Sequence, residues 1–208
     1  MTDYDHNYAL HHSVAADNWL FDRLLTLLAP QPGWRVLDVG CNTGEFTARL
    51  AQLQCQTLGI DLNPAAIALA QERFPKLAFR VAELAQLPEL DFDALTASHV
   101  LEHLPAPLEF LRAARQHMKP GGKLLIATPN RQAFLHRLVN RLRGVPFFDD
   151  PTHRHLFAPR ELAGLVRQAG FASVRVTTYP LYLPLARQLG QKLPALGRGD
   201  HLFVSAVP

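Results

Sequence analysis

Short apolar runs alternate along the chain with stretches in which apolar residues recur every three or four positions. The runs have the length of buried strands, and the stretches between them have the spacing of amphipathic helices. After an opening run that starts at Arg35, further strands are predicted at 56–61, 77–82, 92–97, 123–130, 171–178 and 201–207. Strict alternation of strand and helix over the first four units favours an α/β fold with a parallel, doubly wound sheet.

Helices are predicted between these strands and before the first one. An amphipathic helix is expected over 13–29, and Asn63 followed by proline has the cap and first-turn residues of another. A helix opened by Pro107 is expected to end at 119–122 with a glycine C-terminal cap. Other helices are expected to begin near residues 46 and 159, the latter ending at Gly170, and 182–189 is a further candidate.

Composition and charge narrow the class of protein only moderately. The 208 residues are 48% hydrophobic and 19% charged, as in a globular protein with one sizeable core. A formal net charge of +3 does not by itself indicate nucleic acid. Cys41 and Cys55 fit no disulfide or metal framework, and no signal peptide or run of about 18 apolar residues occurs. A cytoplasmic protein is expected.

The segment 35–46, R-V-L-D-V-G-C-N-T-G-E-F, predicts a strand, a tight glycine turn and the start of a helix. Its spacing fails the dinucleotide template G-x-G-x-x-G. Asp38 and Glu45 place negative charge around the turn, where a pyrophosphate would be repelled but a cationic sulfonium would not. Taken alone, the segment is equally explained by a turn that only links a strand to a helix.

Polar side chains follow the ends of the next predicted strands, where open α/β sheets bind ligands. Asp61 ends the second strand, and its carboxylate can accept hydrogen bonds from both hydroxyls of a ribose. It could instead serve the next helix, although Asn63 already supplies a cap there. Glu83 follows the third strand, and a cluster at 98–103 follows the fourth.

These motifs resemble those of class I S-adenosylmethionine-dependent methyltransferases. D-V-G-C-N-T-G is similar to the first family motif, D/E-x-G-x-G-x-G, with Asn42 in place of the middle glycine. E-L-A-Q-L-P, V-L-E-H-L and the Thr-His pair at 152–153 also match family motifs in order and spacing. The match covers nearly the whole chain. Within the family, the chain is similar to the ubiquinone-biosynthesis O-methyltransferase branch and to uncharacterised type 11 and type 23-like relatives.

The resemblance implies a Rossmann-like, seven-stranded, mostly parallel sheet whose last strand enters antiparallel between its neighbours. It implies S-adenosyl-L-methionine as cofactor and S-adenosyl-L-homocysteine as product, with Glu83 reaching the adenine amino group. The implied cofactor-binding residues are Asp38, Gly40, Asn42, Gly44, Asp61, Leu62, Glu83, Leu84 and Ser98. One methyltransferase domain over 1–208 is expected, with an N-terminal helix and lid at 1–30 and a substrate cap at 131–160.

Methyl transfer to a hydroxyl benefits from a general base, and histidine has a suitable pKa range. The candidates are His99, His103, paired with Glu102, and His153, although a structural role explains each equally well. No metal is expected, because the displacement creates no charge that needs one. The leading hypothesis is O-methylation of a small-molecule or lipid-like acceptor. The alternatives are transfer to nitrogen or carbon, and a non-catalytic S-adenosylmethionine-binding module.

The segment 131–143 predicts a basic amphipathic helix, with apolar residues on one face and arginines on the other. Such a helix can contact a membrane surface or attract an anionic substrate. It can equally be a cap helix that packs on the domain with a solvated basic face. Nucleic acid is not the expected acceptor, because no N-P-P-Y type motif follows the fourth strand.

Overall fold

The computed structural model describes residues 18–133, 152–179 and 200–208. The helices are α1 (Asn18–Leu28), α2 (Glu45–Gln52), α3 (Pro64–Arg73), α4 (Pro107–His117) and α5 (Pro159–Gln168). The strands are β1 (Arg35–Val39), β2 (Gln56–Asp61), β3 (Ala78–Val81), β4 (Phe92–Ser98), β5 (Met118–Pro129), β6 (Ala172–Tyr179) and β7 (His201–Val207). Short 3₁₀ turns at Leu84–Gln86 and Leu101–His103 follow β3 and β4.

The strands form one seven-stranded sheet in the order β3-β2-β1-β4-β5-β7-β6. β1 lies between β2 and β4 with all three parallel, and Val39 is in register with Ile60 on one side and Ala97 on the other. β7 runs antiparallel to both β5 and β6. The predicted fold is therefore confirmed, and the strand order reverses between β1 and β4, where sheets of this type bind ligands.

Alternate residues of the central strands fill two apolar layers, one on each face of the sheet. On one face α4 and α5 cover the strands; the buried side chains include Leu37, Leu95, Leu111, Leu124, Ile126 and Leu162. On the other face α1 and α2 cover them; the buried side chains include Leu24, Leu28, Leu50, Leu125 and Phe203. Burying each such side chain stabilises the fold by about 1.5–3 kcal/mol, so the layers hold the strand ends in fixed positions.

The helix starts follow the sequence signals. Asn63 caps α3, because its Oδ1 accepts hydrogen bonds from the amides of Ala65 and Ala66 at 2.9 and 3.3 Å. Pro159 occupies the first turn of α5, and Glu161 accepts a hydrogen bond from the amide of Ala158 at 3.0 Å. The predicted cap of α3 and the predicted start of α5 near residue 159 are confirmed.

The predicted glycine cap at the end of α4 is wrong. The helix ends at His117, and Met118 already pairs with Phe92 as the first residue of β5. The next pair joins Ala94 to Lys123, so the intervening residues form an irregularity in the strand. A side chain on Gly122 would lie 3.2 Å from two main-chain oxygens of β4. Glycine is therefore needed here for close approach between strands, not for ending a helix.

Several predicted segments fall outside the described residues. They are the lid before residue 18, the part of the basic helix and cap from 134 to 151, and the helix at 182–189. The lid, the cap and the extent of the domain stay predictions. None of the helices in the described ranges combines the length and apolar character needed to cross a membrane.

Candidate active site

The glycine turn after β1 is held against the end of β2. The amides of Gly40 and Cys41 donate to the carbonyl of Ile60 at 2.8 and 3.0 Å. Gly40 has φ +70°, and a side chain there would lie 2.3 Å from Val100, so only glycine fits. Asn42 has φ +48°, a left-handed conformation that asparagine adopts more readily than most residues. This tolerance explains how Asn42 can replace the middle glycine of the motif.

Asp61, at the end of β2, connects this turn to the start of α3. Its carboxylate accepts hydrogen bonds from the amide of Asn42 at 3.0 Å and from the amide of Asn63 at 2.9 Å. A carboxylate has about four acceptor positions, so two backbone bonds leave capacity for hydroxyl donors. The geometry thus combines the two sequence interpretations: Asp61 supports the chain before α3 and can also accept hydrogen bonds from a ligand.

Asp38 is buried beneath the turn, with 3% of its surface exposed. Burial raises the pKa of its carboxyl group to about 6, although hydrogen bonds from Thr47 and Thr96 lower it; the charge of Asp61 raises it further. The two hydroxyls donate to the carboxylate at 2.6 and 2.9 Å. Asp38 is therefore an anion held in place by neutral donors, and a cationic ligand would stabilise its charged form.

Gly44 has a packing role. It precedes α2 with φ +85°, and a side chain there would lie 2.6 Å from the ring of Phe79 and 3.2 Å from Ala70. The residue lets α2 begin close to the layer formed by α3 and β3.

Cys41, in the same turn, is buried, and burial raises the pKa of its thiol. A buried thiol of this kind agrees with a structural role.

His99 follows β4 in a left-handed conformation with φ +55°, and its amide donates to the carbonyl of Ala127 at 2.9 Å. Its Nδ1 lies 3.0 Å from Oε1 of Glu102, a side chain with no exposed surface. The other carboxylate oxygen accepts a hydrogen bond from Thr128 at 2.9 Å. The expected pairing of Glu102 with His103 is therefore wrong, because the turn of the chain directs this carboxylate to His99.

Burial alone would raise the pKa of Glu102. The hydrogen bond and positive charge of His99 outweigh that effect, with help from the backbone of Glu102 and from Thr128, and the pKa is lowered overall. Glu102 is thus a buried anion with both oxygens hydrogen-bonded. Such an anion orients the imidazole of His99.

His103 and His153 meet on the same side of this network. Their ring centroids are 4.8 Å apart, and Nδ1 of His103 lies 2.9 Å from the hydroxyl of Thr152. The amides of Arg154 and His155 donate to the main-chain carbonyl of Glu102 at 2.8 and 3.0 Å. These two bonds fix the described part of the predicted cap against the turn that follows β4.

A cavity of about 1070 Å³ joins the glycine turn to the histidines. Every predicted site residue except Gly44 lines it. Among the described residues of its wall, five carry a carboxylate and none is lysine or arginine; the carboxylates are those of Asp38, Glu45, Asp61, Glu83 and Glu109. Arg73 and Arg112 pair with Glu45 and Glu109 from outside the wall, so the negative charge comes mainly from the other three.

Other lining residues were not among the predicted site residues. Leu20 and Phe21 of α1 reach the cavity, as does His201, the first residue of β7. The ring of His201 lies 5.1 Å from the rings of both His99 and Trp19 in edge-on contacts. The amphipathic pattern of α1 signalled a buried face, but His201 reaches the site only because β7 pairs with β5.

The Methyltransferase domain family model matches residues 10–176. The chain belongs to the class I S-adenosylmethionine-dependent methyltransferases. This methyltransferase is 36% identical over 149 residues to the Ubiquinone biosynthesis O-methyltransferase of Xanthomonas campestris pv. campestris. The matched region is 66% of the chain and 62% of that relative, so less than two thirds of the relative's length is spanned.

Two solved structures show the same fold at low identity. A SAM-dependent methyltransferase from Archaeoglobus fulgidus superposes with a TM-score of 0.69 at 20% identity, over 93% of this chain and 95% of that one. Phosphoethanolamine N-methyltransferase 2 of Haemonchus contortus, in complex with S-adenosyl-L-methionine, gives 0.65 at 17% identity, over 90% of this chain and 52% of that one.

S-adenosylmethionine is the methyl donor of this family, and the cavity fits it chemically. The carboxylates and the lack of basic side chains in the described wall favour a cation and disfavour the pyrophosphate of a dinucleotide. Leu62, with 66% of its surface exposed, offers an apolar contact at the end of β2 where a nucleoside base needs one. The volume slightly exceeds the usual range of about 300–1,000 Å³ for one ligand, leaving room for an acceptor.

Proposed function

We propose that this methyltransferase transfers a methyl group to an oxygen atom of a small-molecule or lipid-like acceptor. The observation that carries the proposal is that one cavity joins a carboxylate-lined half to a histidine-lined half, where a buried carboxylate holds His99. Similarity to O-methyltransferases of ubiquinone biosynthesis supports oxygen as the acceptor atom. The sequence alternatives of nitrogen or carbon transfer have no comparable support from the site.

The cofactor half is assigned by the hydrogen-bond acceptors and the apolar side chains that line it. Asp61 accepts the ribose hydroxyls, Glu83 reaches the adenine amino group, and Leu62 and Leu84 contact the base. The remaining assigned residues, which line the same half from the ends of β1 and β4, are Asp38, Gly40, Asn42 and Ser98. Gly44 supports this half indirectly, because its packing positions the start of α2.

The acceptor half supplies orientation and a proton acceptor. When bound, S-adenosylmethionine provides a methyl group made electrophilic by the neighbouring sulfonium. Since Nδ1 of His99 is bonded to Glu102, Nε2 is the atom that we assign as acceptor of the hydroxyl proton. General-base catalysis contributes about 10²- to 10⁴-fold in rate, and orientation of the acceptor contributes more. His103 and His153 border the same space.

The first test measures cofactor binding by calorimetry in wild type, Asp61→Ala and Glu72→Ala. Glu72 is an exposed carboxylate on the neighbouring helix α3 and does not line the cavity, so it is a matched control. Loss of charged hydrogen bonds should weaken binding by about 10- to 100-fold in Asp61→Ala only. Circular dichroism verifies that both variants fold. Equal affinity in all three proteins would contradict the assigned ribose site.

The second test identifies the acceptor atom. Labelled S-adenosylmethionine is supplied with a matched set of small aromatic compounds that carry a hydroxyl or an amine at the same position, with and without an alkyl tail. We expect label on the oxygen compounds, and a preference for the tailed ones if the acceptor is lipid-like. Transfer to the amines alone would overturn the proposal.

A further inference from the structure

We propose that the outer edge of β6, together with the neighbouring face of α5, binds an extended acidic segment of a partner protein. A groove of about 300 Å³ lies between the two elements. Its walls are formed by Pro159, Arg160, Ala163 and Arg167 of α5 and by Val174 and Val176 of β6. Among the described residues, this α5–β6 groove shares none with the cavity of the active site, so it is a separate surface.

The backbone of β6 can take up another strand. β6 lies at the end of the sheet, and among the described strands it pairs only with β7. From Arg175 to Tyr179 that pairing is continuous, whereas an irregularity interrupts it between Ala172 and Arg175. The second part of β6 is therefore a regular strand, and no other described strand uses the donors and acceptors of its outer edge. Such an edge can bind an extended peptide through main-chain hydrogen bonds.

The α5–β6 groove combines an apolar floor with positive charge. Val174 and Val176 are half-buried, while Arg160 and Arg167 are exposed on α5, about 10 Å apart along the helix. Neither arginine forms an ion pair in the described ranges, and Glu161, the acid next to Arg160, pairs with Arg131 instead. The described walls contain no acid. Exposed cations beside apolar side chains suit a ligand that is both acidic and apolar.

Arg175 extends the positive charge to the other face of the same edge. It lies between the two groove valines in the strand, so its side chain points to the opposite side of the sheet. It is exposed, and it has no ion-pair partner among the described residues. A strand added beside β6 would therefore meet arginine on both faces. On the α5 side, an acid, an apolar residue and an acid at alternate positions span about 13 Å, which Arg160 and Arg167 can reach.

Charge separates this occupant from the alternatives. A second copy paired through its own β6 would place identical arginines opposite each other, and like charges so placed are destabilising. The segment 180–199 of this chain carries three basic residues and no acid, so its charge does not complement the groove. An anionic membrane or a nucleic acid would engage the arginines but not the strand edge or the valines. An extended acidic peptide is the occupant that uses all three features.

The test uses the full chain, labelled with ¹⁵N, and a synthetic seven-residue peptide added in an NMR titration. The peptide carries glutamate at its first, fourth and fifth positions, valine at its third and threonine elsewhere. We expect amide shifts confined to α5 and β6. Because exposed ion pairs contribute modestly, Arg160→Ala and Arg167→Ala should each weaken binding by about 2- to 5-fold, and the double variant by about 10-fold. Arg112→Ala is the matched control, since this exposed arginine of α4 pairs with Glu109.

Methylation of the peptide backbone tests the added strand itself. An added strand bonds β6 through alternate amides only. N-methylation of the odd-numbered positions in one peptide, and of the even-numbered positions in another, should therefore give one peptide that binds and one that does not. Equal binding of the two methylated peptides would exclude strand addition and overturn the proposal.

Other outcomes would overturn it as well. They include no binding of the unmodified peptide, amide shifts away from α5 and β6, and unchanged affinity in the double variant. Shifts of β6 that grow with protein concentration alone would assign the edge to a second copy. Shifts caused by phosphatidylglycerol vesicles but not by the peptide would assign the arginines to a membrane. Tighter peptide binding after Asp3→Asn and Asp5→Asn would assign the groove to the acidic start of this chain. Circular dichroism verifies that every variant folds.

Discussion

Replacing Asp38 by asparagine should change how stability depends on pH. The pKa of this carboxyl is raised from 3.8 to about 6, mainly by burial, so the folded state holds its proton more tightly than the unfolded state. The resulting stabilisation is complete below about pH 4 and is lost as pH rises through 6. A shift of this size corresponds to about 3 kcal/mol. Relative to Asp38→Asn, the wild type should therefore lose most of this stabilisation, about 2.4 kcal/mol of unfolding free energy, between pH 4 and pH 7.

Urea unfolding, followed by circular dichroism at pH 4, 5, 6 and 7, measures this difference. Groups with a lowered pKa, such as Glu102, stabilise the fold less as pH falls, which is the opposite dependence on pH. These groups are present in both proteins, so comparing wild type with Asp38→Asn cancels their effect. Asp22→Asn is the control, because that side chain is 70% exposed. A constant free-energy difference between wild type and Asp38→Asn across the range would refute the reasoning. Added S-adenosylmethionine should stabilise the wild type more at pH 7 than at pH 5, because its cation favours the ionised carboxylate.

Two further substitutions test the packing of the turn and the role of the histidine network. Gly44→Ala should lower the free energy of unfolding by at least about 1–2 kcal/mol, because the new side chain would have a left-handed backbone conformation and would collide with Phe79. Urea titration measures the change. An unchanged unfolding midpoint would show that α2 can shift to make room. His99→Ala should lower turnover by about 10²- to 10⁴-fold while cofactor affinity, measured by calorimetry, stays unchanged. His155→Ala serves as its control, and a variant lacking His99 that turns over normally would exclude the histidine as proton acceptor.

Much of the fold and the cofactor half of the cavity could be predicted from the sequence, because both depend on local patterns. Apolar runs locate the strands, and a parallel sheet necessarily brings their carboxyl ends to one edge. Asp38, Asp61 and Glu83 were therefore placed on one cavity from their positions at or beside strand ends. The resemblance to family motifs added the direction of the last strand, which periodicity alone does not give.

The acceptor half was harder to predict, because its contacts depend on irregular backbone and on distant segments. Glu102 and His103 are adjacent in sequence, yet the 3₁₀ turn and the left-handed residue His99 direct the carboxylate to the earlier histidine. His153 is positioned by the two residues that follow it, Arg154 and His155. Their amides donate hydrogen bonds to the main-chain carbonyl of Glu102, some fifty residues earlier in the chain. The Lys119–Gly122 segment had the composition of a helix end, but its last residue, Gly122, permits close strand contact, which only the pairing of β5 with β4 reveals.

The position of β7 between β5 and β6 has a consequence for the order of folding. Among the described strands β6 pairs only with β7, although β6 comes earlier in the chain. β6 therefore has no edge of the sheet to join until the later strand has paired with β5. The same step delivers His201 to the cavity beside His99. A growing chain can assemble the cofactor half first, whereas the acceptor half is completed only when β7 has been synthesised and inserted.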